Sequence, residues 1–136
     1  MPHRNVSEVI LYTDDGKLLL QDREGIAKFG EKYALFGGGI EDGETPREAM
    51  ERELKEELNY EFEDLEEYKV LEFRIDENNT RTYHIFQAKA PELDKIEVLE
   101  GKEAKFFTFE EALKQNLFPG DHLIIREFGK LKGFLQ

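Results

Sequence analysis

Hydrophobic and polar residues alternate along much of the chain in patterns that are typical of β-strands. Residues 6–13 and 17–23 are rich in β-formers, and the tight-turn sequence Asp14-Asp15-Gly16 lies between them, so this region predicts a hairpin. Residues 33–36 form a short apolar run that ends against three glycines, which predicts a buried strand leading into a special loop. Further strands are predicted at residues 67–75, 81–89 and 105–108, with a polar loop at 76–80 between the first two.

The clearest predicted helix follows the glycines. Its start is a capping box, in which Thr45 is the N-cap, Pro46 takes the first helical position and Glu48 reaches back to the N-cap. Helical spacing continues to about Leu58, and Asn59, a residue that tolerates the left-handed conformation, is the predicted end. Two shorter helices are predicted at residues 110–115 and from Asp121 to about Phe128, the latter followed by Gly129. Because strands outnumber helices, the order of elements predicts an α+β fold with a mixed sheet.

Three carboxylates share one face of the long helix. At 100° per residue, Glu56 and Glu57 lie about 60° and about 40° to either side of Glu53. An adjacent arc carries apolar residues suited to packing on a sheet, namely Met50, Leu54 and Leu58. Carboxylates this close repel one another unless a cation lies among them, and a hard divalent ion such as Mg²⁺ or Mn²⁺ prefers oxygen ligands. Such a site handles phosphate oxygens, so the helix indicates phosphate chemistry.

Residues 38–60, which read GGIEDGETPREAMERELKEELNY, resemble the Nudix box, the signature of the Nudix hydrolases. Gly38 is followed after five residues by Glu44 and after seven more by Arg52-Glu53-Leu54-Lys55-Glu56-Glu57. A match at all six fixed positions is expected by chance at on the order of one in a million starting positions in a sequence. The chain departs from the pattern at Asn59 and Tyr60, where the family has a glycine and an apolar residue, and it has Gly37 where many members have a proline.

The resemblance implies the Nudix fold, an α/β/α sandwich around a mixed β-sheet, and a pyrophosphohydrolase activity that depends on Mg²⁺, for which Mn²⁺ can substitute. In the family a carbonyl group of the glycine loop joins the metal shell, and Gly38 is the matching position, with Gly37 as the near alternative. The resemblance also implies that Arg52 orients a catalytic glutamate and that Glu44 supports the loop and the helix start. The metal ligands that the resemblance implies are Gly38, Glu53, Glu56 and Glu57.

The family usually adds one glutamate from outside the box, as a further ligand or as the general base. Glu103, three residues before Phe106, is the first candidate for this residue, and Glu100 is the alternative. The implied reaction is attack of water on phosphorus, with Glu53 or Glu103 accepting the proton, so that a phosphate or a nucleoside monophosphate leaves. The catalytic residues implied are therefore Arg52, Glu53, Glu56 and Glu103.

The box does not identify the substrate. A nucleoside diphosphate linked to another group is implied, which includes nucleoside triphosphates, nucleotide sugars, ADP-ribose and dinucleoside polyphosphates, and no substrate-binding residue is assigned. The alternative is a non-catalytic Nudix-like module that only binds a nucleotide, but such domains commonly lose box glutamates, and all three are present here. The isomerisation of isopentenyl diphosphate, another activity of this fold, usually relies on a cysteine, and the chain has none.

Length, charge and composition restrict the function further. The 136 residues suit a single domain at 1–136, and the net charge of −12 argues against binding a nucleic acid polymer, which requires clustered Lys and Arg. The sequence has no apolar signal-like start and no run of transmembrane length, so we expect a soluble cytoplasmic protein with no membrane partner. A homodimer is plausible for the family.

Overall fold

A computed structural model describes residues 3–136, which form a mixed seven-stranded sheet with helices packed on it. The strands are β1 (His3–Tyr12), β2 (Lys17–Asp22), β3 (Tyr33–Ala34), β4 (Phe36–Gly39), β5 (Glu66–Asp76), β6 (Asn79–Lys89) and β7 (Ala104–Thr108). The helices are α1 (Pro46–Leu58), α2 (Phe109–Ala112) and α3 (Asp121–Lys132), and a single 3₁₀ turn lies at Leu93–Lys95.

Strand β1 organises the sheet because it has partners on both edges. It runs parallel to β6 along its whole length, and β6 continues the sheet to β5 in an antiparallel pair. Its other edge is shared, since β4 pairs with residues 6–9 and β2 with Leu11 and Tyr12, both antiparallel. β2 in turn pairs with β3 and with β7. The predicted mixed sheet and α+β class are confirmed.

Alternation along β1 sends its side chains into two separate hydrophobic cores. Val9 and Leu11 pack with the buried side chains of α1, including Met50, Leu54 and Leu58. Val6 and Ile10 pack on the opposite face with Ile124, Ile125 and Phe128 of α3. The sheet therefore lies between α1 on one side and α2 and α3 on the other, as the predicted α/β/α sandwich requires. Glu8, between Val6 and Ile10, is a buried acid on the α3 face.

Helix α1 begins and ends as its sequence predicts. The Thr45 hydroxyl accepts a hydrogen bond from the Glu48 N–H at 3.1 Å, and the Glu48 carboxylate accepts one from the Thr45 N–H at 2.9 Å. At the other end Asn59 is left-handed (φ 49°, ψ 47°) and its N–H donates to the Lys55 carbonyl. Asn59 thus supplies the helix end for which the family uses glycine.

The glycine segment and the β5–β6 connection differ from the prediction. Gly37, Gly38 and Gly39 lie in β4 and pair with β1, so the predicted loop is an extended strand in the sheet. β5 and β6 continue through most of the predicted polar loop and leave only Glu77 and Asn78 between them. In both places the ladder hydrogen bonds of a neighbouring strand outweigh the weak strand propensity of glycine and of polar residues.

The two later helices also differ from the prediction. α2 is shorter, and its start is fixed by a capping box in which Thr108 is the N-cap and Glu111 reaches back. α3 runs past Gly129 and ends at Gly133, which is left-handed (φ 80°). Gly129 therefore lies inside the helix, where a Cβ would lie 2.6 Å from Leu135 Cδ1, and glycine at this position permits close packing with Leu135. Among the described helices, none has the length and apolar character needed to cross a membrane.

Candidate active site

A cavity of about 580 Å³ lies beside β4 and α1. One group of lining residues comes from the predicted box, namely Gly37, Gly38, Gly39, Glu53, Glu56 and Glu57. A second group comes from β1, β6 and the start of α3, and includes Arg4, Glu8, Arg81 and Asp121. Arg23 and Glu100 from two loops also line it. The fold therefore places the box glutamates and a separate set of charged residues around one cavity.

Arg52 connects the segment before α1 to the helix. Its Nε and Nη2 atoms donate to the Glu44 carboxylate at 2.7 and 2.9 Å, and Nη2 also donates to the Gly39 carbonyl at 3.0 Å. Its Nη1 donates to Glu53 at 2.9 Å. The Arg52 guanidinium lowers the pKa of Glu44 to about 2, so that carboxylate is ionised throughout the neutral range. Arg52 thus holds Glu53 from one side while Glu44 and Gly39 fix the guanidinium.

Glu53 occupies the space that a side chain at position 38 would take. A Cβ built on Gly38 would lie 2.4 Å from the Glu53 carboxyl carbon, so only glycine lets the carboxylate lie against the backbone of β4. Burial raises the pKa of Glu53, while the bond from Arg52 opposes the rise. The carboxylate is therefore desolvated, oriented and a better proton acceptor than an ordinary glutamate.

Glu57 is the most buried of the three box glutamates, with 1% of its surface exposed. It accepts hydrogen bonds from the Gly37 N–H at 3.0 Å and from Gln21 Nε2 at 3.3 Å. Gln21 is itself held by Arg23, which forms a 2.9 Å ion pair with the buried Glu31. Burial raises the pKa of Glu57 well above its ordinary value, and the charges of Glu53 and Glu100 raise it further.

Glu56 differs from its two neighbours because half of its side chain is exposed. It pairs with Arg52 at 3.3 Å and lines the cavity beside Glu53. Within residues 3–136, no three acidic or histidine side chains already converge on one point as a finished metal site. The donor set nevertheless fits a hard divalent ion, because desolvated carboxylates with raised pKa values gain from a nearby cation.

Glu103 and Glu100, the two candidates for the catalytic or metal-binding glutamate outside the box, lie in different surroundings. Glu103 is exposed just before β7 and is not among the residues that line the cavity. Glu100 does line the cavity, and its charge raises the pKa values of Glu53 and Glu57. The placement therefore favours Glu100, the alternative, over Glu103 for any direct role, and the roles of both residues stay predictions.

Glu8, Arg81 and Asp121 are cavity residues that the sequence patterns did not single out. All three are buried, with exposed fractions of 5%, 9% and 1%. The signal for Glu8 is available in the sequence, since it is an acid between apolar residues in a strand whose other side chains enter a core. No comparable signal marks Asp121, which looks like an ordinary first-turn acid of α3 until its neighbours in space are known.

Comparison with known proteins finds one family. The family model described as NUDIX domain matches residues 1–128. A CTP pyrophosphohydrolase of Escherichia coli (strain K12) is 30% identical over 119 residues, which are 87% of this chain and 86% of that protein. A nucleoside triphosphatase NudI of Enterobacter sp. (strain 638) is 36% identical over 63 residues, which are 46% of this chain and 45% of that protein. Among solved structures, the E. coli ORF135 protein superposes with a TM-score of 0.77 at 26% identity, over 97% of this chain and 92% of the other.

Proposed function

The chain belongs to the Nudix family and is a pyrophosphohydrolase of the Nudix type, and from this premise we propose that it hydrolyses nucleoside triphosphates to nucleoside monophosphates and pyrophosphate. The observation that carries the proposal is the position of Glu53 and Glu57, which are desolvated side by side against the glycines of β4 in a cavity of about 580 Å³. The names of the two curated relatives support a triphosphate over the other substrate classes that the box allows.

Members of this family generally use divalent metal ions, and we propose Mg²⁺ here, with Mn²⁺ able to substitute. The ligands proposed are Glu53, Glu56, Glu57 and a carbonyl of the glycine strand, at Gly38. A bound divalent ion would neutralise phosphate charge and lower the pKa of a water molecule. The chain's own contribution is to desolvate these carboxylates and to fix two of them, Glu53 through Arg52 and Glu57 through Gly37.

We assign the general base to Glu53. Its carboxylate accepts the proton of the attacking water, the water oxygen bonds to a phosphorus atom, and the bridging P–O bond breaks so that pyrophosphate leaves with the electron pair. Arg52 donates to one carboxylate oxygen of Glu53 and so orients the group, and the lone pairs of the other oxygen would be available to the metal ion and to the proton of the water. Glu100 lines the same cavity and is the second candidate for the base.

Product analysis tests the proposal. The purified chain is given nucleoside triphosphates, a nucleotide sugar, ADP-ribose and a dinucleoside polyphosphate, each with Mg²⁺ and with Mn²⁺, and the products are separated. Metal-dependent release of pyrophosphate and a nucleoside monophosphate from triphosphates is expected. Turnover that is confined to one of the other classes would overturn the assignment of the substrate and leave the family activity intact.

Metal binding is measured separately from turnover. Calorimetric titration of the chain with Mn²⁺ is expected to show binding that weakens at least about ten-fold in Glu56→Gln.

Comparison of Glu100→Gln with Glu103→Gln distinguishes the two candidates for the glutamate outside the box, and we expect the larger loss of kcat in Glu100→Gln. A larger loss of kcat in Glu103→Gln would assign the role of the glutamate outside the box to Glu103 instead. The single domain at 1–136, the homodimer and the cytoplasmic location stay predictions from the sequence.

A further inference from the structure

A chain of hydrogen bonds runs from β2 to Glu57, one of the metal ligands proposed above. Gln21, a fully buried residue of β2, donates from Nε2 to Glu57 Oε2 at 3.3 Å. Its Oε1 accepts from Arg23 Nη1 at 2.8 Å, and Arg23 Nε donates to Glu31 Oε2 at 2.9 Å. The Phe29 N–H donates to the other oxygen of Glu31 at 2.8 Å. These side chains therefore form one connected network that ends at the box.

Arg23 determines which way the amide of Gln21 points. A glutamine amide has one end that accepts and one end that donates, and rotation about its last bond exchanges the two ends. Because a guanidinium only donates, the amide oxygen faces Arg23 and the N–H₂ group faces Glu57. Arg23 is itself held in place, since Glu31 and the Ile26 carbonyl accept from its other nitrogens at 2.9 and 3.4 Å. The network thus presents a donor to the Glu57 carboxylate.

Gln21 also reaches the loop that carries Glu100. Its Nε2 donates to the Glu100 carbonyl oxygen at 3.4 Å, so one amide group contacts both α1 and this loop. The loop lies close to β2, because a Cβ on Gly101 would lie 2.5 Å from the Asp22 carbonyl oxygen. Two glutamates that line the cavity, Glu57 and Glu100, are therefore brought together from distant parts of the chain by contacts with β2.

We propose that Gln21 is a positioning residue for metal binding, which holds the Glu57 carboxylate and the Glu100 segment together in the direction that Arg23 sets. This inference rests on the proposed role of Glu57 as a metal ligand. Gln21 is not among the residues that line the cavity, so it acts through Glu57 and not on a bound ligand. Residues that orient a metal ligand in this way typically contribute about 10- to 100-fold to metal affinity.

The first test replaces Gln21 with methionine, which has a similar length but neither donates nor accepts as an amide does. In calorimetric titrations with Mn²⁺ and no nucleotide, we expect the affinity to fall about ten-fold in Gln21→Met. In a Glu57→Gln background the same change should alter the affinity by less than about two-fold, because the residue through which Gln21 acts is no longer a carboxylate. Gln87→Met, in a partly buried glutamine of β6 away from the cavity, is the control and should leave the affinity unchanged.

The outcomes of this test are distinct. An unchanged Mn²⁺ affinity in a folded Gln21→Met variant would overturn the proposal, as would equal losses with and without the Glu57 carboxylate, which indicate a general structural role. Either result would leave the proposed hydrolysis intact. A wild-type chain that neither binds Mn²⁺ nor turns over a nucleotide would instead overturn the proposed function.

A second variant decides if Gln21→Met does not fold. Arg23→Lys keeps a positive charge beside the buried Glu31, but a single ammonium group cannot hold Glu31 and Gln21 in the fixed geometry of a guanidinium. We expect its Mn²⁺ affinity to fall by about three-fold or more, and to show no such fall when Glu57 is already glutamine. Since no nucleotide is present, any contact of Arg23 with a substrate does not enter the measurement. Unchanged affinity in Arg23→Lys would contradict the proposal.

Discussion

A buried carboxyl group at Glu57 opposes folding whenever it is ionised. Its pKa is raised by burial, so the folded chain holds the proton to a higher pH than the unfolded chain, and stability falls as pH rises through that window. A buried acid that costs stability when it is ionised is typical of a site that a ligand completes.

Glu57→Gln removes this charge and keeps an oxygen that can accept from Gly37. With EDTA present at pH 8, we expect the free energy of unfolding to rise by on the order of 1 kcal/mol, the scale of one pKa unit, while kcat falls by about two orders of magnitude. Urea unfolding and steady-state turnover check the two effects. A variant that is both inactive and less stable would show that Glu57 has a structural role instead.

Arg52 acts through geometry, since its guanidinium reaches Glu44, Gly39 and Glu53 at once. Lysine keeps the charge but cannot make this set of bonds. We expect Arg52→Lys to lower kcat by roughly 10- to 100-fold, because Glu53 loses its fixed orientation, with a smaller effect on KM. Arg126→Lys, at an exposed position of α3, is the control and should be unchanged. Near-normal kcat in Arg52→Lys would mean that charge alone suffices.

At the scale of the element, the close contact between β4 and α1 determines where Glu53 lies. A Cβ at Gly38 would collide with the Glu53 carboxylate, whereas a Cβ at Gly39 would meet only the end of the flexible Arg4 side chain, at 2.5 Å. Adjacent glycines of one strand therefore form a matched pair for mutation.

Gly38→Ala is expected to displace Glu53 and to lower kcat by about 100-fold, and Gly39→Ala should cost much less because Arg4 can move aside. Steady-state kinetics on both variants, with circular dichroism to confirm that each is folded, provides the comparison. Equal losses in the two variants would show that the whole strand is sensitive and that contact with Glu53 is not the cause.

The end of α1 depends on the left-handed conformation of Asn59. Alanine is strained in this conformation and glycine is not, so Asn59→Ala should lower the free energy of unfolding by about 1 kcal/mol and Asn59→Gly should leave it equal or higher. Thermal or urea unfolding measures both. Because Asn59 is exposed and outside the cavity, kcat should change little in either variant. A stable Asn59→Ala variant would contradict this account of the helix end.

At the scale of the whole molecule, the sequence predicts those helix ends and turns that are determined by residues close to them in the chain. The capping box at Thr45, the turn at residue 16 and the helix end at Asn59 are each determined by residues within a few positions, and these predictions are confirmed. The position of Gly129 was not predictable in this way, since its role depends on Leu135 and Phe109, which pack against it only in the folded chain.

The same distinction applies to the candidate site. The box glutamates share one helix, so their spacing alone placed them on one face. Glu8, Arg81 and Asp121 come together only because β1 pairs with β6 and α3 packs over that face of the sheet. These residues lie at least 40 positions apart in the sequence, so their grouping leaves no local pattern from which it could be predicted.

The central claim is that the box carboxylates make this chain a metal-dependent pyrophosphohydrolase. The most direct measurement is pyrophosphate release from CTP as a function of Mg²⁺ concentration, for the wild type and for Glu56→Gln, whose half-exposed side chain makes it the variant least disturbing to the fold. We predict turnover that requires the metal and falls at least about 100-fold in Glu56→Gln, with CMP binding retained. Turnover that persists with EDTA, or that is unchanged in Glu56→Gln, would contradict the account.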